Sequence, residues 1–201
     1  LSAGTLGFMM SILPDQLPDI ISAINAQTHS LLTAPLLKVA YLDNDEILGY
    51  AFNDISVERR NSQAVKFDLA IDGSTGSFMG DGVIFSTPLG STAYSLSAGG
   101  PIIDTKVQDA LVVTPNNPHV SALYSSLQRP HVLHRSRTVN ILLDDKTIGS
   151  RPARLLCDGH VSLDTIDRDI TISLSNESVQ LAQLNSDSFQ SQIEAKRLGR
   201  N

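Results

Sequence analysis

Tryptophan is absent from this chain of 201 residues, cysteine occurs once, and aromatic side chains make up only 5% of it. A single cysteine, Cys157, excludes any intrachain disulfide and any thiolate metal cluster, which suits a reducing compartment. Basic residues are the minority, 15 Lys and Arg against 21 Asp and Glu, for a net charge of −6. The chain therefore lacks the electrostatic footprint of a nucleic-acid binder. Its small basic clusters, Arg59-Arg60 and Lys196-Arg197, read as solvated surface. No apolar run approaches the roughly 20 residues that span a bilayer, and no basic stretch followed by an apolar core opens the chain. A cytoplasmic protein with no membrane partner is expected. Hydrophobic content of 41% and charged content of 18% exclude a disordered chain.

Familiar catalytic signatures are also missing. There is no Gly-x-x-x-x-Gly-Lys-Ser/Thr phosphate loop and no Gly-x-Gly-x-x-Gly after a strand, so neither a P-loop nor a Rossmann reading is supported. No Gly-x-Ser-x-Gly elbow supports a serine hydrolase. The five histidines, His29, His119, His131, His134 and His160, lack zinc-site spacing with acids or cysteine. His131 and His134, in strand context, face opposite sides.

What is present is a change of period along the chain. Leu17, Ile20, Ile21 and Ile24 fall at helical spacing after Pro14, which predicts a helix ending near Gln27. From residue 36 short apolar segments take over: 36–42, 47–52, 111–114, 139–143, 153–156, 170–174 and 179–184. Val65, Phe67, Leu69 and Ile71 alternate with Lys66, Asp68 and Ala70 up to the turn Asp72-Gly73, a half-buried strand. Many short strands joined by turns predict an α+β chain, mainly β, with a sandwich or layered sheets. Ser95 to Ala98 fits a short helical turn. Phe189, Ile193 and Leu198 fit a short C-terminal helix.

The densest run of informative residues is Gly80 to Pro101, GDGVIFSTPLGSTAYSLSAGGP. A lone acid between glycines is followed by an apolar strand, Val83-Ile84-Phe85. A series of small and hydroxylic residues then surrounds Tyr94. Small side chains allow close approach to the backbone, and hydroxyls and free N–H groups can bind ribose, amide or phosphate oxygens. Upstream, Asn53-Asp54 follows the apolar segment 47–52. An amide that donates and accepts beside a carboxylate that accepts from hydroxyls suits an adenine edge or a ribose.

Asp81-Gly82, Ser86-Thr87-Pro88, Gly90-Ser91-Thr92-Ala93-Tyr94-Ser95 and Gly99-Gly100-Pro101, in this order, closely resemble the nucleotide-binding core of the NAD kinases. The resemblance runs from Leu6-Gly7-Phe8 to Arg197-Leu198-Gly199. It implies phosphorylation of the adenosine-ribose 2′-hydroxyl of NAD to give NADP, with ATP or polyphosphate as donor. It also implies that Asn53, Asp54, Asp81, Thr92, Ala93, Tyr94, Ser95, Leu96 and Ser97 bind NAD. Asp81 would contact the nicotinamide-side portion, within one subunit or across a subunit boundary. His160, at the end of Cys157-Asp158-Gly159-His160, matches a late family turn that reaches the ligand. Phe8 matches a family element and is a candidate wall of the adenine site or a core residue. A divalent cation, Mg²⁺, and assembly into a homodimer or homotetramer are implied as well.

The match departs from the family at several points. Met79 stands where many members carry Arg, Asp54 replaces Glu, and Leu89 replaces a small hydroxylic residue. The segment between Pro118-His119 and Arg129-Pro130 is longer than usual. The family's Gly-Gly-Asp-Gly motif, whose aspartate is the proposed base, occurs nowhere in the chain. No catalytic residue is therefore assigned here, and the 201 residues are expected to be cut from a longer protein and inactive alone. The expected organisation is the end of an N-terminal α/β, ATP-binding domain over residues 1–35 and a β-rich NAD-binding domain over 36–184. A C-terminal segment, 185–201, is expected to pack back on the α/β domain. The rival readings are a non-catalytic NAD- or NADP-binding module and a related lipid kinase.

Overall fold

A computed structural model describes residues 17–124 and 127–183. The expected Leu6-Gly7-Phe8 element, Phe8 as adenine-site wall, and the C-terminal helix lie outside these residues. The chain divides into two compact units, one of residues Pro35–Ser178 and one made of the residues before and after it. In the outer unit, α1 (Leu17–Asn25) forms where the apolar spacing predicts it. Thr33 and Gln180 in that unit exchange hydrogen bonds through Oγ1, Oε1 and Nε2 at 3.0–3.2 Å.

Twelve strands make up about half of the described residues: β1 (Ser30–Tyr41), β2 (Ile47–Ala51), β3 (Asp54–Arg59), β4 (Val65–Ile71), β5 (Ser74–Gly80), β6 (Gly82–Ser86), β7 (Ala110–Asn116), β8 (His131–His134), β9 (Val139–Leu142), β10 (Ala153–Cys157), β11 (His160–Leu163) and β12 (Ile170–Gln183). They form two six-stranded sheets, β2-β1-β12-β9-β4-β5 and β11-β10-β3-β6-β7-β8. The mainly β, sandwich-like architecture expected from the sequence is present.

The core lies between the two sheets and follows from alternation. Val65, Phe67 and Leu69 of β4, Val139 and Ile141 of β9, and Ile170 and Ile172 of β12 are buried from one side. Ile55 and Val57 of β3, Val83 and Phe85 of β6, and Leu111 and Val113 of β7 are buried from the other. Phe67 stacks on Phe78 of β5 with ring centroids 5.2 Å apart, a pair that gains somewhat more than its buried area alone.

Several elements differ from the sequence expectation: the segments 170–174 and 179–184 are one strand, β12, and β3, β5, β8 and β11 fall outside the expected apolar segments. The strand expected at residue 36 begins at Ser30, with Leu31 exposed. A short helix, α3 (Asp145–Ser150), fills a stretch with no apolar period. Among the described residues, no helix is long and apolar enough to cross a membrane.

Candidate functional site

The second sheet is unusual in being buried on both faces at its centre. Ile55, Val57, Val83 and Phe85 face the core, yet Asp54, Ser56, Ile84, Ser86, Val112 and Thr114 on the opposite face are buried too. The register explains which residues share that outer face: Asp54 pairs with Ser86, Ser56 with Ile84, and Ile84 with Thr114. What covers them is the segment after β6. A 3₁₀ turn (Gly90–Thr92) leads into α2 (Tyr94–Ser97), a single helical turn where one was expected.

Hydroxyls hold that cover in place. Thr87 Oγ1 donates to the Phe52 carbonyl at 2.9 Å and accepts the Gly90 N–H at 2.9 Å, while the Thr87 N–H donates to the Asn53 carbonyl at 3.0 Å. Ser91 Oγ donates to the Pro88 carbonyl at 2.6 Å and accepts the Ile103 N–H at 3.0 Å. Ser95 and Thr114 share a buried hydroxyl–hydroxyl bond at 2.8 Å. Gly90 is required here: a Cβ would lie 1.9 Å from the Asn53 carbonyl oxygen. Gly100 is likewise required, since a Cβ would lie 2.3 Å from Ser95 Oγ and 2.6 Å from Thr114 Oγ1. The Gly and Ser/Thr richness of this segment thus serves close backbone approach and internal bonding first.

The Asn53-Asp54 corner has a second anchor. Asp158 and Gly159, at φ +49° and +77°, form the turn between β10 and β11, the conformation favoured in two-residue hairpin loops. That turn aims the Asp158 carboxylate at the corner, where it accepts the N–H groups of Phe52 and Asn53 at 2.7 Å and of Asp54 at 3.1 Å. The Asp158 N–H in turn donates to the Asp54 carbonyl at 2.9 Å. The same turn places exposed His160 next in the chain to Gly159, directly across from Cys157. Cys157 is buried, and burial pushes its thiol up.

Asp54 is 7% exposed. Burial, then the charge of Asp158, raises its carboxyl to about 6, against a bonding contribution from the Tyr94 N–H that acts downward. Ser86, its cross-strand partner, is fully buried, and its Oγ has no hydrogen-bond partner among the described residues.

Tyr94 links the two ends of the face. Its backbone N–H lies at Asp54, and its hydroxyl accepts from Asn116 Nδ2 at 3.1 Å. Asp81 lies beyond this far end, since Gly82 pairs with Glu58 and with Asn116. Five positions of strand separate it from Ser86, about 17 Å. Asp81 is tied down there by Arg59 Nε at 3.2 Å and Asn117 Nδ2 at 2.9 Å.

The structure therefore brings Asn53, Asp54, Tyr94 and the neighbourhood of His160 together, and holds Asp81 at the other end of the same strands. Thr92 and Ala93 are half-buried, Tyr94, Leu96 and Ser97 are exposed, and Ser95 spends its hydroxyl inside the fold.

A family model, the ATP-NAD kinase C-terminal domain, matches residues 52–184. The chain belongs to the NAD kinase family. It is 34% identical over 174 residues to an NAD kinase of Methanospirillum hungatei, covering 86% of this chain and 60% of the relative. It is 33% identical over 183 residues to an NAD kinase of Sulfurimonas denitrificans, covering 89% and 61%. The chain thus spans about six-tenths of the length of these NAD kinases. Among solved structures, it superimposes on a yeast NADH kinase complexed with NADH at a TM-score of 0.81 and 26% identity, covering 96% of this chain and 56% of that one. An Archaeoglobus fulgidus NAD kinase in complex with ATP shares the fold at a TM-score of 0.74 and 22% identity, covering 95% and 70%.

Some residues of this site have no role assigned from the sequence: Asp158, within the Cys157-to-His160 turn, and Glu58, Arg154 and Asn116. The signal for Glu58 was available: Asp54, Ser56 and Glu58 alternate with Ile55 and Val57, a polar face set against an apolar one.

Proposed function

We propose that this chain is the NAD-binding part of an NAD kinase, acting on the 2′-hydroxyl of the adenosine ribose with ATP or polyphosphate as donor. The observation that carries the reading is the corner at Asn53 and Asp54. It is fixed from one side by Asp158 and from the other by Thr87, with Tyr94 laid alongside. Such a corner is preorganised, so little ordering remains to be done when a ligand arrives.

In this assignment the Asn53 amide and the Asp54 carboxyl meet ribose or base edges. The run Thr92 to Ser97 meets the ligand with N–H groups, the exposed Ser97 hydroxyl and the Tyr94 ring. His160 closes the near side, and Asp81 meets the nicotinamide-side portion. The distance between Asp81 and the Asn53 corner suits an extended dinucleotide or a second subunit's ligand. Residues 36–184 form the NAD-binding domain, with 1–35 and 185–201 belonging to the ATP-binding side. The enzyme works in the cytoplasm as a homodimer or homotetramer. Among the described residues, no group of three or more His, Cys, Asp or Glu is disposed to hold a metal ion. The Mg²⁺ of the reaction is assigned to the donor phosphates.

NADP formation from NAD, ATP and Mg²⁺ by the longest natural reading frame containing this chain tests the proposal, with Asp81→Ala as control. Activity that drops sharply in the control supports the kinase and the place of Asp81. A folded protein inactive with every donor, yet binding NAD, would instead favour a non-catalytic dinucleotide-binding module.

A further inference from the structure

Two neighbouring asparagines where β7 ends tie together two residues already given a ligand role. Asn116 Nδ2 donates to the Tyr94 hydroxyl at 3.1 Å. Asn117 Nδ2 donates to Asp81 Oδ2 at 2.9 Å. The other carboxylate oxygen, Oδ1, meets Arg59 Nε at 3.2 Å. The backbone is locked at the same place. The Asp81 N–H donates to the Asn116 carbonyl at 3.0 Å, and the Asp81 carbonyl accepts the Arg59 N–H at 2.9 Å. Asn117 takes φ +46°, a left-handed conformation that asparagine adopts more readily than most residues. The strand stops between the two amides, and they reach side chains 22 and 36 residues away in the sequence. Neither grip hides its residue: Asp81 keeps 27% of its side chain exposed, and Tyr94 is 38% exposed. A carboxylate has about four lone-pair positions, so Asp81 can still accept from a ligand N–H or hydroxyl.

We propose that Asn116 and Asn117 are positioning residues that set the Tyr94 hydroxyl and the Asp81 carboxylate at a fixed separation, as one subsite for the nicotinamide-side end of the ligand. The assignment rests on the NAD-binding reading. Without the two amides, both side chains regain rotamer freedom, and part of the binding energy is spent on ordering them again. The loss falls on a ligand that carries the nicotinamide ring and spares one that lacks it, because the Asn53 corner is held by Asp158 and Thr87 instead.

The test titrates NAD and ADP-ribose, which lacks the nicotinamide ring, into the full chain by calorimetry. The variants are Asn116→Leu and Asn117→Gly, each checked for wild-type circular dichroism. Asn116→Leu keeps the volume and removes the donor. Asn117→Gly removes the amide and keeps a residue that tolerates φ +46°. Each should weaken NAD about three- to tenfold and ADP-ribose by less than about twofold. A second readout needs no ligand. In ¹⁵N spectra of side-chain amides, the NH₂ pair lost in Asn116→Leu should shift in Tyr94→Phe, and the pair lost in Asn117→Gly should shift in Asp81→Ala. Equal losses for the two ligands would make the asparagines general supports of the fold and overturn the proposal. Unchanged NAD affinity, or amide pairs that stay put, would overturn it too. A wild-type chain that binds ADP-ribose as tightly as NAD would remove the subsite and leave the nucleotide reading standing. A folded chain that binds neither ligand would sink the nucleotide reading itself, and the subsite with it.

Discussion

The carboxylate of Asp158 accepts the backbone N–H of Asn53 at 2.7 Å, across more than a hundred residues of chain. The backbone of Asn53 is thereby held by a residue of the β10–β11 hairpin. Two further N–H groups, of Phe52 and Asp54, end on the same carboxylate. Asp158→Ala leaves three donors without their acceptor, and charge-assisted bonds of this kind contribute more than neutral ones. The loss should be about 2 kcal/mol, read as a lower urea midpoint with unchanged slope. NAD affinity should fall by more than stability alone requires, because the corner loses its direction. Asp158→Asn should recover part of the stability, since its amide oxygen still accepts.

Asp54 makes stability depend on pH in an unusual sense for an aspartate. Burial raises its carboxyl to about 6 in the fold, against an ordinary aspartate value of 3.8. Between these values the folded chain holds a proton that the unfolded chain has released, so Asp54's contribution to stability falls as pH rises from about 4 to 6 and is flat above. Asp54→Asn removes the buried charge while keeping an oxygen for the Tyr94 N–H. Urea midpoints should show the variant gaining over wild type at pH 8 and losing that advantage at pH 4. An advantage equal at both values would assign the gain to something other than ionisation.

Gly90→Ala should be among the most damaging small changes in the chain. Its new methyl would stand 1.9 Å from the Asn53 carbonyl oxygen, which is backbone and cannot swing away. Displacing that turn also breaks the Gly90 bond to Thr87. Overpacking of this sort typically costs about 1–3 kcal/mol, and with the lost bond the effect should reach the upper end. Gly149→Ala, in α3 with nothing near the added methyl, should instead be neutral or slightly stabilising. Paired thermal melts check both.

The core offers a plainer comparison. Phe67 is buried and stacked on Phe78 between the sheets. Phe67→Ala should cost about 3–5 kcal/mol, while Tyr94→Phe, at the proposed ligand face, should change stability by less than about 1.5 kcal/mol. A large stability loss in Tyr94→Phe would mean that the tyrosine is a structural post rather than part of a binding surface.

Much of this was legible in the residues. The alternation of Val65 to Ile71 and its closing Asp72-Gly73 turn gave β4 to the residue. Helical spacing gave α1. The ordered residues from Asp81 to Pro101 carry the family resemblance, because a loop built on close backbone contact admits few residue types at Gly90 and Gly100. What was not legible depends on distant register. That Asp158 reaches Asn53 follows from the turn that joins β10 to β11 and from the pairing of β10 with β3. Neither can be read from local period. The same holds for Ser95, whose hydroxyl looks free in sequence and is bonded to Thr114 in the fold. Asp81 and Asn53 belong to one family pattern in the sequence, yet the antiparallel pairing of β3 with β6 sets them at opposite ends.

The most direct measurement is a calorimetric titration of NAD into the folded chain and into its Asn53→Ala variant. The account predicts saturable binding to the chain, weakened at least about tenfold in the variant, or about 1.4 kcal/mol, with unchanged circular dichroism. A folded chain that gives no binding, or one that binds equally well without the Asn53 amide, would contradict it.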